Sequence, residues 1–375
     1  MMKFRSPFTS MMKGTLTWLA LSLSVVLRAE EPLDEFVLMS AITNPPLFRR
    51  DHSVINPLRT LARLIFLASA VTALPSTAEP TLRVFVSNEK DDSISVIDSR
   101  TNNVEKTLAV GKRPRGIGLS PDGTELYVAL GAENAIAVVD PKSLAVLRKI
   151  PCGDDPEAFD VHPNGDIYLS NEDDAKATVL NPKTGQIVAQ IAVGLEPEGV
   201  AVSPDGKQVI VTSESTNMLH VISVPGHEVI ANILVGSRPR AAVFSKDGKW
   251  AYSSSEIGGE VNRIDMSSYE IVTKKALADD KAKPKDLRLS KDERTLYVAG
   301  GRANKVFVLD AETLEIKKGI PVGERVWGLA ISRGGKRLYT TNGSSHSVAV
   351  IDTDKSEVIA TVAVGRFPWG IVIDD

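Results

Sequence analysis

The residues best placed to do chemistry recur as a short step of alternating side chains. It reads Arg113-Pro114-Arg115, Asp155-Pro156-Glu157, Glu196-Pro197-Glu198, Arg238-Pro239-Arg240, Lys283-Pro284-Lys285, Arg325-Val326-Trp327 and Phe367-Pro368-Trp369. A second set of carboxylates, Glu89, Glu172, Glu214 and Glu256, lies at loop positions of the same repeat. Brought together, charges of both signs with two indoles suit a polar, partly flat ligand or a charged protein partner. The candidate binding residues are therefore Arg113, Arg115, Glu157, Glu198, Arg240, Lys285, Trp327 and Trp369, with Glu89, Glu172, Glu214 and Glu256. A plainer reading stands beside this one. The prolines form turns and the Arg and Glu side chains pair with each other, at about 0–1 kcal/mol per exposed pair.

Whether these side chains converge depends on the elements that carry them. From Glu79 onward the chain is self-similar. A Val-Gly marker recurs as Val110-Gly111, Cys152-Gly153, Val193-Gly194, Val235-Gly236, Val322-Gly323 and Val364-Gly365, with glycine spacings of 42, 41, 42, 87 and 42. The spacing of 87 spans two repeats. Periods of this size belong to propellers and solenoids. In the first full unit the step leads into Gly116-Ile117-Gly118-Leu119, then the turn Ser120-Pro121-Asp122-Gly123. Proline presets φ in that turn and glycine accepts a positive φ. Leu126-Tyr127-Val128-Ala129, Ala135–Val139 and Ala145-Val146-Leu147 follow, giving four short strands per unit. Four antiparallel strands repeated radially make a propeller blade.

Six full units begin near residues 111, 153, 194, 236, 281 and 323, and only one strand follows Gly365. Strands over Leu82–Ser87, Ser93–Asp98 and Val104–Val110 supply the remainder. The expected fold is all-β: a seven-bladed propeller of four-stranded blades, closed by a composite N-/C-terminal blade. Such closure leaves no open inner edge. The step then enters each innermost strand at the same channel mouth as the loop carboxylates. The Asp- and Lys-rich segment at residues 276–283 departs from the repeat and puts the outer edge of that blade in doubt.

Other chemistry is poorly supported. His52, His162, His220, His227 and His346 do not recur at ligand spacing, so no metal site is assigned. Cys152 holds a marker position usually held by Val and reads as a small buried hydrophobe. As the sole cysteine it excludes an intramolecular disulfide and a haem-attachment motif. Asp91-Asp92 and Asp173-Asp174 offer oxygens for calcium, although solvated loop carboxylates are the commoner explanation. There is no Ser-His-Asp order, phosphate loop or dinucleotide fingerprint. The aromatics Tyr127, Tyr297 and Tyr339 read as core.

The chain has 375 residues with a formal charge of −3. Residues 79–375 carry 36 Lys/Arg and 42 Asp/Glu, which argues against nucleic acid as a partner. Residues 1–78 read as an N-terminal extension and secretory signal, and residues 79–375 as the propeller. Two basic-then-apolar runs sit in tandem: Lys13 with Leu16–Leu27, and Arg59/Arg63 with the run Leu64–Val71 before Ser76-Thr77-Ala78. Both are short for a bilayer span, and the second predicts cleavage near Ala78 and a periplasmic location. No membrane span is expected in the mature form, and a monomer is expected.

The cores Glu125-Leu126-Tyr127-Val128, Thr295-Leu296-Tyr297-Val298 and Arg337-Leu338-Tyr339-Thr340-Thr341-Asn342 resemble the YVTN-type propeller repeat. Phe85-Val86-Ser87-Asn88-Glu89, Arg113-Pro114-Arg115-Gly116-Ile117, Ser170-Asn171-Glu172-Asp173-Asp174, Glu196-Pro197-Glu198-Gly199 and Arg325-Val326-Trp327 resemble the β-propeller proteins associated with PQQ-dependent catabolism. That resemblance implies an exported protein linked to periplasmic alcohol oxidation, and with the export signal and the ring of charges the expected function is a non-catalytic binding or scaffold protein. Its implied partners are a quinoprotein dehydrogenase, a cytochrome c or a transporter component. The chain lacks the Trp-docking motif of quinoprotein dehydrogenases, so no cofactor is expected. The alternative is a metal-dependent lactonase-like hydrolase, for which Asn88, Asn171, Glu89 and Glu172 offer ligand atoms. A single-stranded DNA-binding propeller using Arg115, Arg240 and Lys285 is a further alternative.

Overall fold

The computed structural model describes residues 78–375. Both export-signal runs and most of the proposed extension lie outside these residues. Among the described residues no helix is long and apolar enough to cross a membrane.

The strands form seven separate four-stranded antiparallel sheets. Blades 1 to 6 follow chain order, with innermost strands Pro114–Leu119, Pro156–Val161, Pro197–Val202, Pro239–Phe244, Leu287–Leu289 and Val326–Ile331. Blade 7 pairs Pro368–Asp374 with Arg83–Asn88, followed outward by Ser93–Asp98 and Asn103–Ala109. The composite closure expected from the repeat is therefore present. Arg83 pairs with Asp374 and Asn88 with Pro368, so the two ends of the chain share one sheet.

Burial explains the sequence of each strand. Middle strands such as Leu126–Leu130 and Ala135–Val139 are buried on both faces and read as continuous apolar runs. Outermost strands such as Asn103–Ala109 are largely exposed and mix charged with apolar residues. Tyr127, Tyr168 and Tyr339 are among the largest fully buried side chains, and each packs in a cluster that bridges two blades. Cys152 is buried as expected, and burial pushes its thiol up to about 12.

The irregular segment acts elsewhere than expected. The outermost strand Glu270–Ala276 of blade 4 is complete. The shortened element is the innermost strand of blade 5, reduced to Leu287–Leu289. Here the Asp286 carboxylate accepts the Leu287 and Leu329 backbone N–H groups, both at 2.8 Å. Backbone pairing continues ahead of the strand, from Lys285 N to Ala299 O and from Ala299 N to Asp286 O, while the Asp286 side chain ties blade 5 to blade 6. Lys283 and Lys285 sit in the irregular backbone before the strand, anchored on the Gly300 and Ala299 carbonyls.

Candidate functional site at the channel mouth

The entry to each innermost strand is fixed by backbone geometry. Arg113, Asp155, Glu196, Arg238, Arg325 and Phe367 all take positive φ, between 44° and 60°. Their carbonyls receive a loop N–H of the same blade, as in Glu172 N to Asp155 O at 3.0 Å and Glu256 N to Arg238 O at 2.7 Å. The step and the loop carboxylates therefore share one end of the ring, as the repeat implied.

The third residue of the step is held by the preceding blade. Ser87, Ser170 and Thr341 donate hydroxyl hydrogens to the Arg115, Glu198 and Trp369 carbonyls at 2.6, 2.6 and 2.8 Å, and Ser254 donates to that of Lys285. These hydroxyls were not recognised from sequence. The available signal was their constant offset, two residues before Glu89, Glu172, Glu256 and Gly343.

Two ion clusters result. In blades 7, 1 and 2, Arg115 contacts Glu157, Glu89 (3.5 Å) and Glu172 (3.9 Å), while Arg113 contacts Asp155 (3.0 Å) and Glu157 (3.2 Å). In blades 3, 4 and 5, Arg240 contacts Glu214, Glu198 (2.8 Å) and Glu256 (3.6 Å). Arg238 joins Glu214, and Lys285 joins Glu256 at 2.5 Å. The pairing anticipated as the plainer reading is real. It is largely buried, and removing one partner of such a pair strands the other charge. Arg115, Arg240 and Lys285 are all carboxylate-paired, so they do not form an open basic patch.

The pairs leave room for a ligand. Trp327 and Trp369 lie with ring centroids 6.0 Å apart. The Lys285 ammonium sits 4.1 Å and the Arg240 guanidinium 5.1 Å from the Trp327 ring centre. These four side chains and Glu198 line a channel cavity of about 130 Å³. Drug-sized pockets run roughly 300–1,000 Å³, so this one suits a small ring. Burial, reinforced by the charge of Arg240, brings the Lys285 ammonium down to about 7, against the pull of Glu256. Burial alone would raise the Glu256 carboxyl, but Lys285, Arg240 and Arg238 outweigh it and hold it low.

The asparagines expected as ligands are not at the mouth. Asn171 is fully buried, donating to the Cys152 and Asp154 carbonyls and accepting from Thr178. Asn88 donates to Ser93 and Ser95. Both brace hairpins inside their blades. The loop aspartates are also engaged: Asp91 accepts from Arg366, and Asp92 from Lys112 and the Arg113 N–H. The acidic group at the mouth comprises instead Asp155, Glu157 and Glu172, which offer oxygens within 4.8 Å of one another.

A seven-bladed lactonase β-propeller model matches residues 200–360, and a YNCE-like β-propeller model matches residues 59–171. Each covers less than half of the chain. The lactonase match holds Glu214, Arg240, Glu256, Lys285 and Trp327. Both families are β-propellers. No curated protein matches. Among solved structures, Kuenenia stuttgartiensis hydrazine synthase aligns at 22% identity and TM-score 0.67, over 76% of this chain and 97% of that one. A functionally unknown Desulfotomaculum acetoxidans protein aligns at 15% and 0.69, over 78% and 98%. A Bacteroides uniformis protein described as a 6-phosphogluconolactonase aligns at 18% and 0.65, over 77% and 98%. At these identities the structural likeness establishes the propeller.

The expectation of a non-catalytic scaffold beside PQQ-dependent oxidation is corrected here. The lactonase model covers Glu214, Arg240, Glu256, Lys285 and Trp327, although not Glu198 or Trp369, and favours the hydrolase alternative. The step motifs position backbone at the mouth, and that placement does not distinguish a scaffold from an enzyme.

Proposed function

We propose that the protein is a lactonase-like hydrolase acting at the channel mouth. The observation that carries this reading is the Arg240–Glu256–Lys285 constellation within the lactonase-matched segment, whose Arg240 and Lys285 line a small cavity with Trp327. A cyclic ester stacks on the indoles, and the Arg240 guanidinium, a permanent cation, polarises its carbonyl oxygen. The neutral Lys285 amine, held by Glu256, takes a proton from the attacking water. The water oxygen bonds to the acyl carbon and the ring C–O bond breaks. The Lys285 ammonium returns the proton to the departing ring oxygen, releasing an open hydroxy acid.

The test is hydrolysis of a panel of γ- and δ-lactones by the purified protein, with and without added Ca²⁺ or Mg²⁺. Lys285→Met is expected to lower kcat/KM by at least about 100-fold, within the range for losing a general base. Trp327→Ala is expected to act mainly on KM. An inactive wild-type protein on the whole panel in both conditions sinks the reading.

A further inference from the structure

The two ion clusters are built from the same kinds of parts, but only one is balanced. Glu198, Glu214 and Glu256 meet Arg238, Arg240 and Lys285, and their formal charges cancel. Glu89, Asp155, Glu157 and Glu172 meet only Arg113 and Arg115. Lys90, more than half exposed, touches Glu89 at 3.6 Å, and the sum remains negative even with it included.

The excess charge falls on atoms that the arginines do not reach. Arg113 is bonded to Asp155 Oδ2 and Glu157 Oε1, and Arg115 also approaches Glu157 Oε1. Asp155 Oδ1 and Glu157 Oε2 are buried without any hydrogen-bond partner. Glu157 is wholly buried and Asp155 is 7% exposed. Asp155 Oδ1 packs closely on Gly131, which takes the loop position held by a glutamate in blades 2, 3, 4 and 7. A Cβ there would stand 2.7 Å from Asp155 Oδ1.

We propose that Asp155, Glu157 and Glu172 bind one divalent cation of the hard, oxygen-seeking class, Ca²⁺ or Mg²⁺. All three donors are carboxylate oxygens, the type such ions select. Glu172 is the partly exposed member and the one through which the ion enters, with water completing its shell. The site lies in blade 2, outside the Arg240–Lys285 constellation, and does not depend on the hydrolytic reading.

Chelator-treated protein titrated calorimetrically with CaCl₂ and, separately, MgCl₂ tests it. One ion per chain is expected for at least one of the two, with a matching rise in melting temperature. Glu157→Gln is expected to abolish binding and Glu172→Gln to weaken it at least tenfold, while Asp173→Asn leaves it unchanged. If Glu157→Gln fails to fold, Glu172→Gln at the solvent edge decides. No binding of either ion at millimolar concentration, or undiminished binding by Glu172→Gln, overturns the proposal.

Discussion

Lys285 shows how a residue acquires chemistry from neighbours distant in sequence. Its burial comes from the ring, its cationic neighbour from blade 4 and its aromatic wall from blade 6. None of this is visible in Lys283-Pro284-Lys285, which looks like one more turn. Two consequences can be measured. If neutral Lys285 takes the water proton, kcat/KM for a lactone rises with pH through a midpoint near 7. A rate that falls through the same midpoint would assign the ammonium, and not the amine, to the reaction. The second consequence concerns stability. The folded group titrates near 7 and the free group near 10.5. Between those values the unfolded chain holds a proton that the folded chain has shed, so stability rises with pH across that window. Urea unfolding at pH 6 and pH 9.5 should show wild-type gaining relative to Lys285→Met. A constant gap would mean that Lys285 remains charged throughout. The permanent charges of Arg113, Arg115 and Arg240, by contrast, were readable from the step itself, and the structure brings each to the mouth.

At the scale of the element, the innermost strand does two jobs with adjacent residues. One points a side chain at the channel, and the next must let the neighbouring blade come close. Gly199 follows Glu198, and a Cβ on it would lie 2.3 Å from the Arg240 carbonyl oxygen; one on Gly370 would lie 2.5 Å from that of Arg115. Gly199→Ala is therefore expected to destabilise by about 1–3 kcal/mol through overpacking. Gly334→Ala, where nothing lies within 4 Å, should change denaturant midpoints little. Equal effects would contradict the close-approach argument. Strands and turns were legible because short apolar runs and Pro-Asp-Gly chemistry are local properties. The Ser87, Ser170, Ser254 and Thr341 braces were not, because each acts on a carbonyl of the next blade. The short strand of blade 5 escaped for a related reason. Its Asp286 side chain reaches the Leu329 N–H of blade 6, and sequence spacing carries no sign of that contact.

At the scale of the molecule, regular packing and irregular chemistry are separated. Clusters between blades are apolar and repeat around the ring, as with Phe85, Leu126 and Val128 or Tyr252, Leu296 and Phe307. Charge and indole side chains differ from blade to blade at one end of the channel. This division was legible because the marker and turn residues repeat while the step changes. What the sequence hid was how tightly those charges pair. The ring is closed by Pro368–Asp374, whose Ile371 packs with Val84, Val86 and Tyr339. Deleting residues 366–375 should cost about 5 kcal/mol from lost apolar burial, at roughly 1.5–3 kcal/mol per large side chain. Thermal melting followed by circular dichroism would then show a much lower midpoint, and an unchanged midpoint would mean that the seam carries little of the stability. The same seam has a mechanical consequence. Arg83 sits opposite Asp374 at one end of the shared pair of strands, and Asn88 opposite Pro368 at the other. A pull between Arg83 and Asp374 would load those hydrogen bonds singly, from Asp374 inward. The molecule should open like a zipper at a small force, although its sheets resist heat as a closed ring.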